Sequence, residues 1–479
     1  MTDLVRNPRF DFAAPLPRLE TLGHTHFIAI GGSGMSGIAH LYAASGLPVD
    51  GCDQAPSQTL DALARAGVAV RVGHDVAHLD GVDTLVVSSA IPESNPELHL
   101  ARAGGLRVLH RAQALAIAMG GHTRVAVAGA NGKTTTTAMT VSALRHAGLD
   151  PSYAVGSVLL DTGAGWGVGS GSAFVVEADE SDGSFLCYRP HIAVVTNVQP
   201  DHLDFYGDVA HVEAGYAAFA ESIPSGGLLV ASADDPGAAR LAAHAAAAGR
   251  RVATVGEAPG ARLRIEQVEL NGLASRAVLR GFGETIELRL GVPGRHNVHN
   301  AAAAVAAGWL GLDADPGELA AGLAGFSGTR RRFQVAGRSR GVTVVDDYAH
   351  NPAKVAAVVA AARAVAGRGR VRLVFQPHLF SRTRDFAAAF AQALTGADQV
   401  VLLPVYGARE APIPGVDSHL IAERMPAGPC AVTVVDTPDE AVTALAAAAA
   451  EGDLILTVGA GDVTRLGRDL LAALEEGDQ

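Results

Sequence analysis

Val125-Ala126-Val127-Ala128-Gly129-Ala130-Asn131-Gly132-Lys133-Thr134-Thr135 decides the fold. An apolar strand runs directly into Gly-x-x-Gly-Lys-Thr-Thr, and the stretch that follows can begin a helix. Glycines let the backbone fold close around phosphate oxygens, with successive N–H groups turned inward as an anion nest. The helix N-terminus adds partial positive charge. Lys133 reaches the outer phosphates, and the Thr134 hydroxyl can ligate Mg2+. A strict P-loop places glycine at position 127, where this chain has Val127. The loop is therefore a shortened variant, and the expected class is an ATP-consuming enzyme.

Lysine occurs only at Lys133 and Lys354, while arginine is plentiful. A guanidinium does not replace a compact ammonium that must reach between phosphates. One of the two lysines standing inside the glycine loop therefore strengthens the phosphate reading.

Outward from the loop, the grammar of short apolar strand, glycine turn and alanine-rich helix recurs in three blocks, the pattern of parallel sheets with crossover helices. The first block opens with the strand 26–30 and the turn 31–37, with further strands near 69–72, 84–88 and 106–109. The second opens at 124–128, continues near 173–177 and 192–196, and passes into a β-rich stretch at 262–291. The third follows Gly328, with strands near 341–346, 371–375, 399–404 and 453–458. Boundaries are expected at Gly120-Gly121 and at the arginine run after Gly328, giving domains 1–120, 121–328 and 329–479.

The composition agrees with an α/β enzyme: 479 residues, 48% hydrophobic, and a net charge of -12 spread along the chain. No basic stripe appears, so no nucleic-acid partner is expected. Cys52, Cys187 and Cys430 lack CxxC spacing, which argues against disulfides or a structural zinc site and for a reducing cytosol. The opening MTDLVRNPRFDF has no apolar segment of the signal type. Alanine-rich runs such as 443–450 are too short for a membrane span and read as buried helix.

Beyond the loop, Val175-Val176-Glu177-Ala178-Asp179-Glu180 ends a strand in carboxylates, and Asn197, Asp201, His202 and Asp204 follow the next. Ligands of open α/β sheets sit outside the carboxyl ends of strands, so both clusters fall on the side of the phosphate loop. Carboxylate, imidazole and threonine hydroxyl together can hold Mg2+. Asn297 reads as a cap of the alanine helix at 301–308, which leaves Asn300 free to face a base. Gly32-x-Gly34-x-x-Gly37 with Asp53 suits a diphosphate and a ribose, in NAD or in a UDP-sugar. The third block places Asp346-Asp347-Tyr348-Ala349-His350 and Gln376-Pro377-His378 at strand ends, with Arg330-Arg331-Arg332 just before it.

This set of motifs resembles the Mur ligase family of peptidoglycan precursor synthesis, across essentially the whole chain. The features closest to its alanine-adding branch are Gly-Gly-x-Gly-Met-Ser-Gly at 31–37, Val-Ser-Ser-Ala-Ile at 87–91, Asp-Asp-Tyr-Ala-His at 346–350, Phe-Gln-Pro-His at 375–378, Ser-Arg-Thr at 381–383 and Glu-Ala-Pro-Ile-Pro-Gly at 410–415. The resemblance implies a Rossmann-like N-terminal domain for a UDP-sugar, a central P-loop-type ATPase domain with a mainly parallel sheet, and a Rossmann-like C-terminal domain that brings the amino acid. It implies ATP and Mg2+ as cofactors, UDP-N-acetylmuramate and L-alanine as substrates, no membrane insertion, and a monomer or weak homodimer.

Residue by residue, the resemblance implies that Gly129, Ala130, Asn131, Gly132, Lys133, Thr134 and Thr135 wrap the ATP phosphates. Thr134, Glu177 and His202 become magnesium ligands. Asn300 contacts adenine, Arg332 the γ-phosphate and Asp346 the ribose. Ser33, Gly34, Ser36, Ser88 and Ser89 lie against the UDP-sugar, while His378 and Arg382 lie near the amino acid. His350 or His378 is the candidate base.

The chain departs from the family pattern at Asn131, Gln199, Asn351, Leu379 and Arg409. It also lacks the lysine that later-acting members carbamylate, as the alanine-adding branch does. Three alternatives stay open: a related ligase of other specificity, a nucleotide-dependent oxidoreductase, and a non-catalytic sensor of UDP-muramyl compounds.

Overall fold

Strand Thr123–Ala128 (β6) is apolar on both faces, and Val125 through Ala128 are fully buried in the computed structural model, which describes residues 4–408 and 410–476. A strand with no polar face must lie inside a parallel sheet covered on both sides. It does so: β6 pairs in parallel with Ile192–Val195 (β10) on one edge and Ala173–Glu177 (β9) on the other.

Before this sheet comes a parallel one of Thr25–Ile28 (β1), Val49–Asp53 (β2), Ala69–Val72 (β3), Thr84–Val87 (β4) and Arg107–His110 (β5), in the order β3-β2-β1-β4-β5. The strand order reverses between β1 and β4, which makes a Rossmann-type switch point with a crevice outside their carboxyl ends. The central sheet adds Ser152–Ala154 (β7), Trp166–Gly167 (β8), Leu228–Ser232 (β11), Arg251–Gly256 (β12), Leu263–Asn271 (β13), Ala274–Gly281 (β14) and Glu284–Leu290 (β15). Its order is β15-β14-β13-β12-β11-β10-β6-β9-β7-β8.

The third sheet comprises Gln334–Ser339 (β16), Val342–Asp347 (β17), Val371–Phe375 (β18), Gln399–Leu402 (β19), Ala431–Val434 (β20) and Leu454–Val458 (β21). Its order is β16-β17-β21-β18-β19-β20, with only β16 antiparallel to its neighbour. By compactness the chain forms two units: Met1–Val268 with Ala277–Arg289 and His296–Phe326, and Ser327–Gln479 with Glu269–Arg276 and Leu290–Arg295. The expected α/β architecture of three mainly parallel sheets is present.

Two local expectations need correction. Residues 443–448 of the run 443–450 belong to the helix Pro438–Ala448, which buries only Ala441 and Leu445 and leaves Ala447 and Ala448 exposed. Alanine favours helix through low side-chain entropy cost, and it needs no burial to do so. Asn297 is not a cap, because the helix starts earlier, at Arg295, and runs to Leu312.

The C-terminal unit contains a buried ion pair. Arg372 Nε on β18 donates to Asp453 Oδ2 at 2.8 Å, and both side chains are buried. Arg372→Met is expected to leave Asp453 without its counter-charge and to cost about 3–5 kcal/mol. A thermal melt of the variant unchanged from the parent would contradict this.

Candidate functional site

Because β10, β6 and β9 are adjacent and parallel, the loops that follow them emerge side by side. The loop after β6 has the shape its glycines permit: Gly129 has φ 137° and Gly132 has φ 88°. A Cβ at Gly129 would come 2.1 Å from Thr196 Oγ1, and one at Gly132 would come 2.8 Å from Asn300 Oδ1. Side chains disfavour such φ values in any case, so both positions need glycine. Gly132 ends the loop, and the helix Lys133–His146 begins there.

Lys133 Nζ is held 2.7 Å from the Gly129 carbonyl and 2.8 Å from Glu180 Oε1. Burial opposes its charge, but Glu180, Glu177 and Asp179 outweigh that and lift its pKa. Glu180 is itself buried, which raises its carboxyl against the pull of Lys133. The Thr134 hydroxyl donates to Glu177 Oε1 at 2.9 Å, while Glu177 Oε2 accepts from Gly156 N–H at 2.7 Å. Two of the three expected magnesium ligands therefore meet. His202 takes the left-handed backbone (φ 51°) beyond β10, and its ring nitrogen faces Asp201 at 3.9 Å.

Asn131 and Gln199, two of the departures from the family pattern, bond to each other. Asn131 Nδ2 donates to Gln199 Oε1 at 3.2 Å, and Gln199 Nε2 donates to Asp235 Oδ2 at 3.0 Å. The Asn131 N–H donates to Asn197 Oδ1, and its carbonyl accepts from Thr196 Oγ1 and Asn197 Nδ2. The neutral amides thus fasten the loop to the end of β10. Ala130 is buried in this loop, and Thr135 follows Thr134 in the helix. Asn300 is buried beside Gly132 and donates to Asn297 Oδ1 at 3.2 Å.

At the first sheet, the helix Ser33–Ala44 follows β1, and Ser88 and Ser89 follow β4, so these residues flank the switch point. Gly34 is exposed and Ser36 buried, while the Ser33 side chain lies outside the described residues. Asp53 accepts from Gly31 N–H at 2.9 Å, so this acid braces the glycine turn. The Ser89 hydroxyl contacts His110 Nε2 and donates to Asp182 Oδ2.

Sequence reasoning missed Arg111. Its guanidinium lies 3.2 Å from where a Gly34 Cβ would stand and 3.0 Å from Asp179 Oδ2, joining the first glycine turn to the central carboxylates. Glu180 ends the carboxylate cluster at 177–180, where its spacing alone gives it no role. No sequence signal pairs either residue with its partner.

In the C-terminal unit, β17, β21 and β18 are neighbours, and their carboxyl ends gather the third set. Asp346 is buried and accepts from Thr457 and Thr464 hydroxyls at 2.7 and 2.6 Å. Arg332 lies 5.6 Å from the Tyr348 ring centre. Arg382 Nη1 and His378 Nδ1 are 3.2 Å apart, and the His378 ring stacks with Tyr406 and stands 6.0 Å from that of His350. Asn351 caps the helix Pro352–Ala366 by accepting from Lys354 N–H. Leu379 holds φ 72°, a costly conformation for a bulky side chain. Arg409 lies outside the described residues.

Burial, with the nearby positive charges of Lys354 and Arg382, lowers the His350 pKa to about 4 against the pull of the Tyr348 carbonyl. His378 is lowered for the same first reason. Both rings are thus neutral near pH 7 and able to accept a proton.

A parallel α/β chain with a shortened phosphate loop, carboxylates at the adjoining strand end and a second glycine turn at a switch point defines a nucleotide-dependent enzyme of the multi-sheet type. Residues 24–123 match the Mur ligase family catalytic domain, 127–308 the Mur ligase middle domain, and 331–461 the Mur ligase glutamate ligase domain. The chain belongs to the Mur ligase family.

It is 53% identical over 458 residues to the UDP-N-acetylmuramate–L-alanine ligase of Kineococcus radiotolerans, covering 95% of this chain and 97% of that one. The crystal structure of the UDP-N-acetylmuramate–alanine ligase of Thermotoga maritima superposes with a TM-score of 0.79 at 26% identity, covering 95% and 99%. The MurF ligase of Thermotoga maritima, solved with ADP, shares the fold at a TM-score of 0.62 and 17% identity, covering 90% and 96%.

The buried neutral His350 has a stability consequence. Its folded pKa lies below the unfolded value, so between about pH 6.5 and 4 the unfolded chain binds the extra proton and stability falls as pH falls. His350→Gln is expected to lose less melting temperature between pH 7 and pH 5 than the parent. Parallel pH curves for the two proteins would contradict the assignment.

Proposed function

We infer that the chain is an ATP-dependent ligase that joins L-alanine to the carboxylate of UDP-N-acetylmuramate in peptidoglycan precursor synthesis. The amino acid and the sugar come from the relatives, which match at about half identity over nearly the whole length. The chemistry rests on one observation: the only lysine in a glycine-loop setting is held in place by Gly129 and Glu180, beside the Thr134–Glu177 pair.

The muramyl carboxylate attacks the γ-phosphorus of ATP, forming an acyl phosphate and releasing ADP. The neutral amine of alanine then attacks the acyl carbon and expels phosphate, with a proton leaving the nitrogen. His350 or His378, both neutral at working pH, can take that proton. Lys133 and Arg332 offset charge on the transferring phosphoryl group. Asn300 and Asp346 are assigned to adenine and ribose.

Ser33, Gly34, Ser36, Ser88 and Ser89 are assigned to the UDP-sugar, and His378 and Arg382 to alanine. Three segments, 1–120, 121–328 and 329–479, would each bring one substrate. Hydroxyl and carboxylate oxygens suit a hard cation; Thr134 and Glu177, with His202, would hold Mg2+, which supplies charge neutralisation on the phosphates.

Phosphate release measured with UDP-N-acetylmuramate, ATP and Mg2+ is expected with L-alanine and to be weaker with glycine and L-serine. Lys133→Ala and Lys133→Arg should each lower it about a hundredfold or more, with Lys133→Arg, which keeps a positive charge beside Glu180, melting close to the parent. Absence of phosphate release with any of the three amino acids would sink the ligase reading. Full activity in Lys133→Arg would remove the role given to the compact ammonium.

A further inference from the structure

Four side chains in the first sheet meet at a place the ligase chemistry does not use. β1, β2, the helical turn Val76–Leu79 and the helix Pro96–Ala103 bring His26, Cys52, His78 and Glu97 together, with one donor atom of each within 4.8 Å of the others. His26, Cys52 and Glu97 are buried and His78 is partly so. Among the described residues this is the one grouping of three or more His, Cys and carboxylate side chains with that geometry.

His26 carries the second, independent observation. Its ring is fully buried, and Nδ1 lies 2.7 Å from Asp50 Oδ1, which is in turn held by Arg71 at 2.7 Å. Nε2 makes no hydrogen bond and stands 3.5 Å from Glu97 Oε2; with the proton on Nδ1, lone pairs face each other across that gap, which calls for a cation between them. Metal-bound histidines characteristically present this arrangement, one nitrogen on a carboxylate and the other on the ion. A buried acceptor without a partner otherwise calls for a separate explanation.

One spacing falls among those of an ion's ligands, and a second lies just short of them. Around a tetrahedral zinc with bonds of about 2.0–2.3 Å, neighbouring donor atoms stand roughly 3.3–3.8 Å apart. Here His26 Nε2 is 3.5 Å from Glu97 Oε2, and Cys52 Sγ is 3.2 Å from the same oxygen. The Cys52 thiol donates to Glu97, and His78 Nδ1 hydrogen-bonds to Glu97 Oε1 at 2.8 Å, contacts that a bound ion would replace; His74 Nδ1 stands 3.3 Å from Cys52 Sγ as a flanking donor.

We propose that His26, Cys52, His78 and Glu97 bind one structural zinc ion. Thiolate and imidazole donors suit zinc and disfavour magnesium. On binding, the Cys52 thiol gives up its proton to solvent, and the sulfur lone pair forms the metal bond. The ion staples four elements of the first sheet together. Cys52 also directly precedes Asp53, the acid that accepts from Gly31 N–H, so the ion anchors the base of the first glycine turn. The sequence expectation against structural zinc looked for CxxC spacing, and this set has ligands drawn from separate elements instead.

The test needs no ligase activity. Untagged full-length chain is expected to carry about one zinc per chain by elemental analysis, a full site occupancy. Its cobalt-substituted form should show thiolate-to-cobalt charge-transfer absorption in the near ultraviolet. Cys52→Ser should lose that absorption, and both Cys52→Ser and His78→Ala should retain less than about a tenth of the zinc. Stripped protein should melt lower and recover with zinc but not with magnesium.

Absence of both zinc and a cobalt spectrum would overturn the proposal and leave a buried imidazole between two carboxylates. Zinc retained in both variants would overturn it equally. Should Cys52→Ser fail to fold, the parent's cobalt spectrum and the partly exposed His78→Ala variant decide.

Discussion

One ammonium group organises the centre of this molecule. Lys133 is held between the Gly129 carbonyl and the Glu180 carboxylate, and that position requires several things at once. The loop must take left-handed turns at Gly129 and Gly132. β6 must lie between β10 and β9 so that the acids after β9 stand beside the loop. The apolar strand must be covered on both faces, or its backbone would not hold the turn in place. Fold and site thus follow from the same eleven residues.

The remaining chemistry is arranged around separate sheets. The first sheet offers a switch-point crevice whose glycine turn is braced by Asp53 and neighboured by Arg111. The third offers two neutral histidines and Arg382 at the ends of adjoining strands. Two departures from the family pattern prove to be one. Asn131 and Gln199 face each other as a bonded amide pair, so the two changes answer one another.

The parts legible in the sequence were those that chemistry confines to a short stretch. Glycines at 129 and 132, Lys133 and Thr134 stand within one turn, and the strands preceding each motif are plainly apolar. Partnerships across the fold were not legible: Arg111 meets Asp179 over a separation of 68 residues, and Lys133 meets Glu180 over 47. No periodicity encodes such a meeting. Strands β2, β7, β8, β11, β12, β16 and β20 were not singled out either, since short strands of small residues resemble the alanine-rich helices around them. Asn297 read as a cap because the alanines after it dominate the pattern, although the helix begins two residues before it, at Arg295.

The amide pair has a bearing on how the protein ages. Asn131-Gly132 and Asn271-Gly272 are both asparagine–glycine steps, the kind that lose ammonia when the glycine nitrogen swings onto the side-chain carbonyl. Asn271 closes β13 at an exposed turn, and among the described residues its side chain makes no hydrogen bond that would oppose that motion. In the phosphate loop, Asn131 is tied by its side chain to Gln199 and by its backbone to Asn197 and Thr196. Chemical wear therefore falls first on the surface hairpin, and the same bonds that shape the loop for phosphate also preserve its covalent identity.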